Sequence, residues 1–294
     1  MRVTLSGLFL CGSLLLSACS FASPDAQAPA NDSTPTSDAS VRPTDPPTGT
    51  GESSAEAVRS ARQQLVRADT GVYVGEVTTG SEVLPIRATG YWRISRSEGV
   101  LSFDTVTPEG EHFDLDYRFF KDASYFTTSA SGGCWTKVSS SEAAKLMGTA
   151  SVGPTVPGHA QALLFARGDT SPVMDGAASG SIRLVDAAVA AGPGVSGHVR
   201  SQLSPQQWHR ARVDVTFRIT TNGFAAWTMT GDQLLDALAH AGAGITADAL
   251  GTTEELISEM VWSVTFSDLG SPITVTRPDD EEVVALGEEA PEFC

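Results

Sequence analysis

Arg212-Val213-Asp214-Val215-Thr216-Phe217-Arg218-Ile219 decides the fold: Val213, Val215, Phe217 and Ile219 alternate strictly with charged or polar neighbours. A period of two with a single apolar face marks a half-buried antiparallel strand. The same alternation recurs at Ile86, Ala88, Gly90, Trp92 and Ile94, at Phe113, Leu115, Tyr117 and Phe119, and at Trp262, Val264 and Phe266. Weaker runs at 72–78, 100–106, 124–128, 135–138, 182–186, 224–230 and 273–276 bring the expected total to about eleven strands. Residues 182–190 read equally as strand or helix.

Helical signals lie around these strands. Ser53 and Glu56 have capping-box spacing, and Ala55, Val58 and Leu65 then share a face, which predicts a first helix to about Arg67. Shorter helices are expected at Glu142–Met147, at His159–Ala166 after Pro157, at Gln233–Ala241 with Asp232 as N-cap, and at Glu254–Glu259, where Thr252 and Glu255 again have capping-box spacing. Gly192-Pro193-Gly194 reads as a turn. Residues 55–294 show no repeat period and no proline-rich interruption, so one α+β domain is expected there.

Upstream, Met1-Arg2 precedes an apolar stretch shorter than the ~20 residues a bilayer span needs, which fits a signal-peptide core. Leu16-Ser17-Ala18-Cys19 looks like a bacterial lipobox. Residues 1–18 are therefore expected to be removed as a lipoprotein signal peptide, with Cys19 acylated by diacylglycerol and fatty acid such as palmitate. Residues 19–54 form the lipidated Cys and a tether: Ser20–Ser54 holds six prolines and, alanines apart, only Phe21 and Val41 as apolar residues. Such a segment cannot bury enough surface to offset its ordering entropy. The expected location is the extracytoplasmic face of the cell membrane, held by lipid.

Charge narrows the partners. The 294 residues carry 35 Asp+Glu against 19 Lys+Arg, a formal net charge of −16. A chain so acidic lacks the basic surface that nucleic acid requires. No nucleophile-elbow, S-x-x-K, H-E-x-x-H or phosphate-loop motif occurs, and His112, His159, His198, His209 and His240 are scattered as surface or structural residues. No enzyme activity, cofactor or metal is expected. Asp279-Asp280-Glu281-Glu282, with Glu288, Glu289 and Glu292, lacks calcium-loop spacing and reads as a solvated tail. Of the four cysteines, Cys11 goes with the signal and Cys19 is acylated, leaving Cys134 and Cys294 in an oxidising compartment. A Cys134–Cys294 disulfide is expected; a reactive thiol at Cys134, beside Gly132-Gly133, is the alternative.

Lipobox, tether, helix and antiparallel strands together resemble the actinobacterial LppX/LprG-type lipoproteins, relatives of the LolA-like half-barrel fold. The likeness rests on Gly90-Tyr91-Trp92-Arg93-Ile94, on Tyr125-Phe126 with Trp135-Thr136-Lys137-Val138, and on a final hairpin running from Val264 through Asp268-Leu269-Gly270 to Pro278. The Gly-rich stretches at 148–158 and 190–197 and the helical pair at 232–259 depart from the family. The resemblance implies a large curved sheet wrapped as a half-barrel around several short helices on its concave side. It further implies an apolar cavity for a lipid or other hydrophobic ligand, carried within the envelope. Trp92, Phe103, Phe113, Leu115, Tyr117, Phe119, Val213, Val215, Phe217, Ile219, Trp262, Val264 and Phe266 are its candidate lining. The competing reading is an assembly or sensory lipoprotein that acts through a protein partner, whose identity the residues do not disclose.

Overall fold

The structure, a computed structural model, describes residues 49–80, 82–106, 112–128, 131, 133–139, 158–243 and 254–288. The expected signal peptide and Cys19, most of the tether, the helix at Glu142–Met147, Thr252 and Cys294 lie outside the described residues.

Two meanders build one open sheet. The first runs β2 (Thr70–Thr79), β3 (Glu82–Arg93), β4 (Glu98–Val106), β5 (His112–Phe119), β6 (Ala123–Thr128) and β7 (Trp135–Ser139). The second uses β8 (Arg167–Gly168), β9 (Pro172–Met174), β10 (Ala177–Arg183), β11 (Arg212–Thr220), β12 (Gly223–Thr230) and β13 (Met260–Ser267). They join where β13 pairs antiparallel with β2, from Met260↔Thr79 to Ser267↔Val72. β1 (Gly49–Ser53) pairs with β9 at one edge, ahead of the expected domain start at 55, and β14 (Val283–Ala285) closes the other. The result is an α+β fold with a 14-stranded sheet that is not closed into a barrel.

β14 lies parallel to β7, so the sheet is mixed where the sequence suggested purely antiparallel pairing. The final hairpin is also different from its expectation. β13 ends at Ser267, Asp268 and Gly270 take positive φ, and 271–279 forms no ladder. That segment instead crosses the outer face of β3–β6 as a strap. Arg118 donates to its Thr276 carbonyl at 3.1 Å, Arg93 to that of Ile273, and Arg277 donates to the Tyr125 hydroxyl at 3.2 Å. Beneath it Phe120, Ala123, Tyr125 and Trp135 form a small apolar cluster closed by Val275 and Val283. Asp280–Glu282 is exposed as expected, yet the tail beyond it is tied into the sheet.

The helices are α1 (Ser54–Ala68), α2 (Gly158–Leu164), α3 (Leu184–Ala190), α4 (Pro193–Gln202), α5 (Pro205–Arg210), α6 (Gly231–Ala241) and α7 (Glu254–Glu259). Residues 177–190 resolve the strand-or-helix ambiguity as both: β10 ends at Arg183 and α3 follows directly. Gly192-Pro193 begins α4 instead of making a turn, because proline's missing N–H costs nothing at the first helical position. The N-cap of α6 is Thr230, not Asp232; its hydroxyl accepts from Gln233 N at 3.3 Å. In α1 the Ser53–Glu56 capping box forms as read. Ser53→Ala is expected to lower stability by about 1 kcal/mol in urea denaturation.

The helices have their principal packing partners in β1, β2 and β8–β13 and in one another. Ala57, Val58, Ala61 and Leu65 of α1, Leu163 of α2, Leu184 and Ala187 of α3 and Leu234 and Leu238 of α6 meet Phe217, Trp227, Met229 and Val264 in one buried core.

Candidate functional site

The inner sheet face, the one bearing the helices, is continuous from β10 to β7 because every pairing keeps it in register. Ile182, Val213 and Val215 lead through Phe217↔Trp227 and Trp227↔Val264 to Phe266↔Tyr73, then to Gly90↔Leu101, Leu101↔Tyr117 and Tyr117↔Phe126. A register shift between Arg218 and Ile219 leaves Phe224, paired with Ile219, on this face against Phe217.

Glycines let aromatic rings lie along the sheet. A methyl on Gly71 would stand 2.5 Å from the Trp92 ring, and one on Gly99 would stand 2.5 Å from Phe119. A methyl on Gly90 would stand 2.6 Å from the Tyr73 hydroxyl. Tyr73 therefore extends from β2 across β3 toward β4, and Phe119 from β5 across β4 toward β3. Such aromatic–glycine pairs hold register without a stacked side chain at every position.

The structure divides the candidate residues. Trp92, Val213, Val215, Phe217, Trp262, Val264 and Phe266 are buried in the main core, with Ile219 packed against them. These fill space between sheet and helices. Tyr117 and Phe119 belong instead to a second cluster with Val138, against which Leu101, Phe126 and Leu286 pack. Phe103 and Leu115 are half-buried, and the side chain of Phe113 lies outside the described residues. Leu101 packs on both clusters and joins them. The inner face thus has a filled half on β10–β2 and a half on β4–β6 where large apolar side chains keep partial exposure.

At the boundary sits a buried polar group that alternation in the sequence does not disclose. The His159 ring, in the first turn of α2, stacks on Tyr73 at 5.2 Å and 17°. The Tyr73 ring is tilted against Trp92 at 6.2 Å. Both the Tyr73 hydroxyl and the Trp92 indole N–H are buried without a hydrogen-bond partner. Burial pushes the Tyr73 phenol far above its ordinary range, and that of Tyr117 up to about 12. Burial lowers His159 to about 4, so the imidazole is neutral at pH 7. Gly71-Val72-Tyr73-Val74-Gly75 has apolar residues on both faces, so a period of two cannot mark its inner side; the glycines flanking a tyrosine were the available signal.

The histidine carries a pH dependence. Its ordinary value is 6.5, so between pH 6.5 and 4 the unfolded chain takes up a proton that the folded chain refuses. Stability present above pH 6.5 is lost as the pH falls through about 4, by about 3 kcal/mol. Urea denaturation across this window is expected to show that slope, and His159→Phe to flatten it.

Elsewhere, Arg183 grips Asp186 through two bonds of 2.7 and 2.8 Å, and its guanidinium lies 3.5 Å over Phe165. Burial raises the Asp186 carboxyl above its usual range, against the lowering pull of Arg183. A cleft of about 300 Å³ opens among Arg167, Asp169, Ser179, Ser181, Asp214, Thr216 and Gln233. Of the candidate lining residues only Val215 reaches it, and its polar walls suit no acyl chain. Among the described residues no three His, Cys, Asp or Glu side chains gather to hold a metal, and no helix is long and apolar enough to cross a membrane.

No protein-family model matches this chain, and no curated protein matches it. Among solved structures, the crystal structure of the lipoprotein LppX from Mycobacterium tuberculosis is similar, with 13% identity, 75% of this chain and 99% of that chain covered, and a TM-score of 0.35. The α+β class rests on the strands and helices described above.

Proposed function

We propose that the protein is a lipid-anchored lipoprotein of the extracytoplasmic membrane face that binds a lipid or other hydrophobic ligand on the inner face of its sheet. One observation carries the reading: the described helices cover the β10–β2 half, while Leu101, Phe103, Leu115 and Phe126 on the β4–β6 half remain partly exposed on the same face. Sites for small apolar molecules are lined in this way, by aromatic and aliphatic side chains with few polar groups among them. The ligand is carried by burial and release, with no catalytic residue. Cys19 supplies the anchor, whose two or more acyl chains make attachment stable where one would be marginal.

Native mass spectrometry of the mature chain carrying Cys19→Ser, purified without detergent, is expected to show a co-purifying hydrophobic ligand. A ligand-free protein that also takes up no added fatty acid would overturn the reading. Mass spectrometry of the native N-terminus tests the anchor; an unmodified Cys19 counts against it.

The pairing of Cys134 with Cys294 belongs to the same reading. It is supported by a Cys134 that is 2% exposed, with its sulfur engaged in a disulfide, and by the course of the tail. β14 lies beside Trp135–Lys137, and the nine residues from Ala285 to Cys294 reach up to about 30 Å, enough to turn back. Peptide mapping under non-reducing conditions is expected to recover the linked pair.

A further inference from the structure

The geometry points to a ligand that carries a hydrogen-bond acceptor, an ester or carboxyl oxygen, and that places this oxygen inside the protein against the Tyr73 hydroxyl. The inference rests on the hydrophobic-ligand reading above and specifies its chemistry. Two observations support it independently.

The first is an unmet demand. The Tyr73 hydroxyl and Trp92 indole N–H are donors on side chains with 0% exposure, and neither has a partner. Buried donors are nearly always satisfied, and leaving one unmade costs the desolvation of the group. His159 does not meet the demand. Its ring is parallel to that of Tyr73, a stacking arrangement in which the phenol O–H does not point at the imidazole nitrogens.

The second is direction. Tyr73 lies over Gly90, and the residue paired with Gly90 on the next strand is Leu101, the half-buried side chain shared by both apolar clusters. The hydroxyl therefore points from the filled half of the inner face toward the partly exposed half. From the other side Phe119 lies over Gly99 and supplies an apolar wall. An amphiphile with its chain along Leu101 and beyond would bring its oxygen to the phenol. A pure hydrocarbon would leave the phenol unmet, so the site discriminates for the acceptor and against its absence.

The test uses the full mature chain with Cys19→Ser, stripped of lipid, titrated with methyl laurate and with dodecane and followed by tryptophan fluorescence. The ester is expected to bind about tenfold more tightly than the alkane. Tyr73→Phe is expected to remove that preference. In the stripped protein the same substitution is expected to leave the melting temperature unchanged or raise it, because it deletes an unsatisfied buried hydroxyl. Retention of the preference in Tyr73→Phe overturns the proposal while leaving the hydrophobic-ligand reading intact. So does a stripped Tyr73→Phe protein that melts lower, since the hydroxyl would then have had a partner such as a bound water. Failure of the parent chain to bind either probe overturns both.

Discussion

Arg183→Ala is expected to destabilise the protein by about 3–5 kcal/mol, the cost of leaving a buried carboxylate without its partner. Asp186 sits in the first turn of α3 among Leu184, Val185 and Ala187, all buried, and is 3% exposed. Its only described side-chain bonds are the two from Arg183. The raised Asp186 carboxyl also gives the variant a distinctive pH profile. A carboxyl with a raised folded-state pKa is best tolerated below its ordinary range, where both states are protonated, and costs stability as the pH rises through its folded value. Removing the arginine raises that value further. The deficit of Arg183→Ala, measured by urea denaturation, should therefore be large at pH 7 and shrink toward pH 4. A deficit independent of pH would assign the loss to guanidinium packing on Phe165. The double substitution Arg183→Met, Asp186→Leu should recover most of the loss, because a buried ion pair and an apolar pair of similar volume are nearly equivalent.

Trp92→Ala is expected to cost a similar 3–5 kcal/mol, through the cavity left where one of the largest fully buried side chains stood. Its ring is edge-on to Phe266 at 5.9 Å and lies directly over Gly71. That contact makes a second outcome available. Gly71→Ala alone places a methyl 2.5 Å from the indole and should be strongly destabilising. In the Trp92→Ala background the indole is gone, and only the flexible Leu269 side chain, whose Cδ2 would stand 2.9 Å from the methyl, must shift into the vacated space. The double variant should then be clearly more stable than the sum of the two single losses predicts. Simple additivity in thermal denaturation would mean that indole and glycine do not share the space described. Since β2 carries Gly71 and β3 carries Trp92, the experiment probes the first strand pair of the first meander, beside the β13–β2 seam.

Long alternating strands were legible because period two survives tertiary packing. The apolar residues from Val213 to Ile219 and from Leu115 to Phe119 lie on the inner face by the registers of β11 and β5. β1, β8, β9 and β14 escaped notice because two to five residues carry no period. Residues 273–276 alternate like a strand, but Val275 packs on the outer cluster from a strap whose carbonyls accept from Arg93 and Arg118. Side-chain donors replace a ladder there, and sequence alternation does not distinguish the two. The start of α6 was misplaced because Asp232 is a good cap by composition. Gly231 approaches the Ile257 carbonyl so closely that a methyl would stand 1.6 Å from it, and this contact favours a start at Thr230. Which residues point inward was legible; which of them stay open was not. Filled core and open face have the same alternation, and only helix placement separates Val215 from Leu115.

The pairing of β13 with β2 has a consequence for the order of events during synthesis. Residues 72–79 leave the ribosome early, and their partners, 260–267, emerge nearly two hundred residues later. Until then the first meander has an unpaired strand at what will become the middle of the sheet. The strap and β14, which cover and edge that same meander, arrive later still. Pairings so distant in sequence are slow to form, because chain closure must be completed before the contacts compensate for it. The chain therefore commits to its native topology only once its C-terminal strands are available.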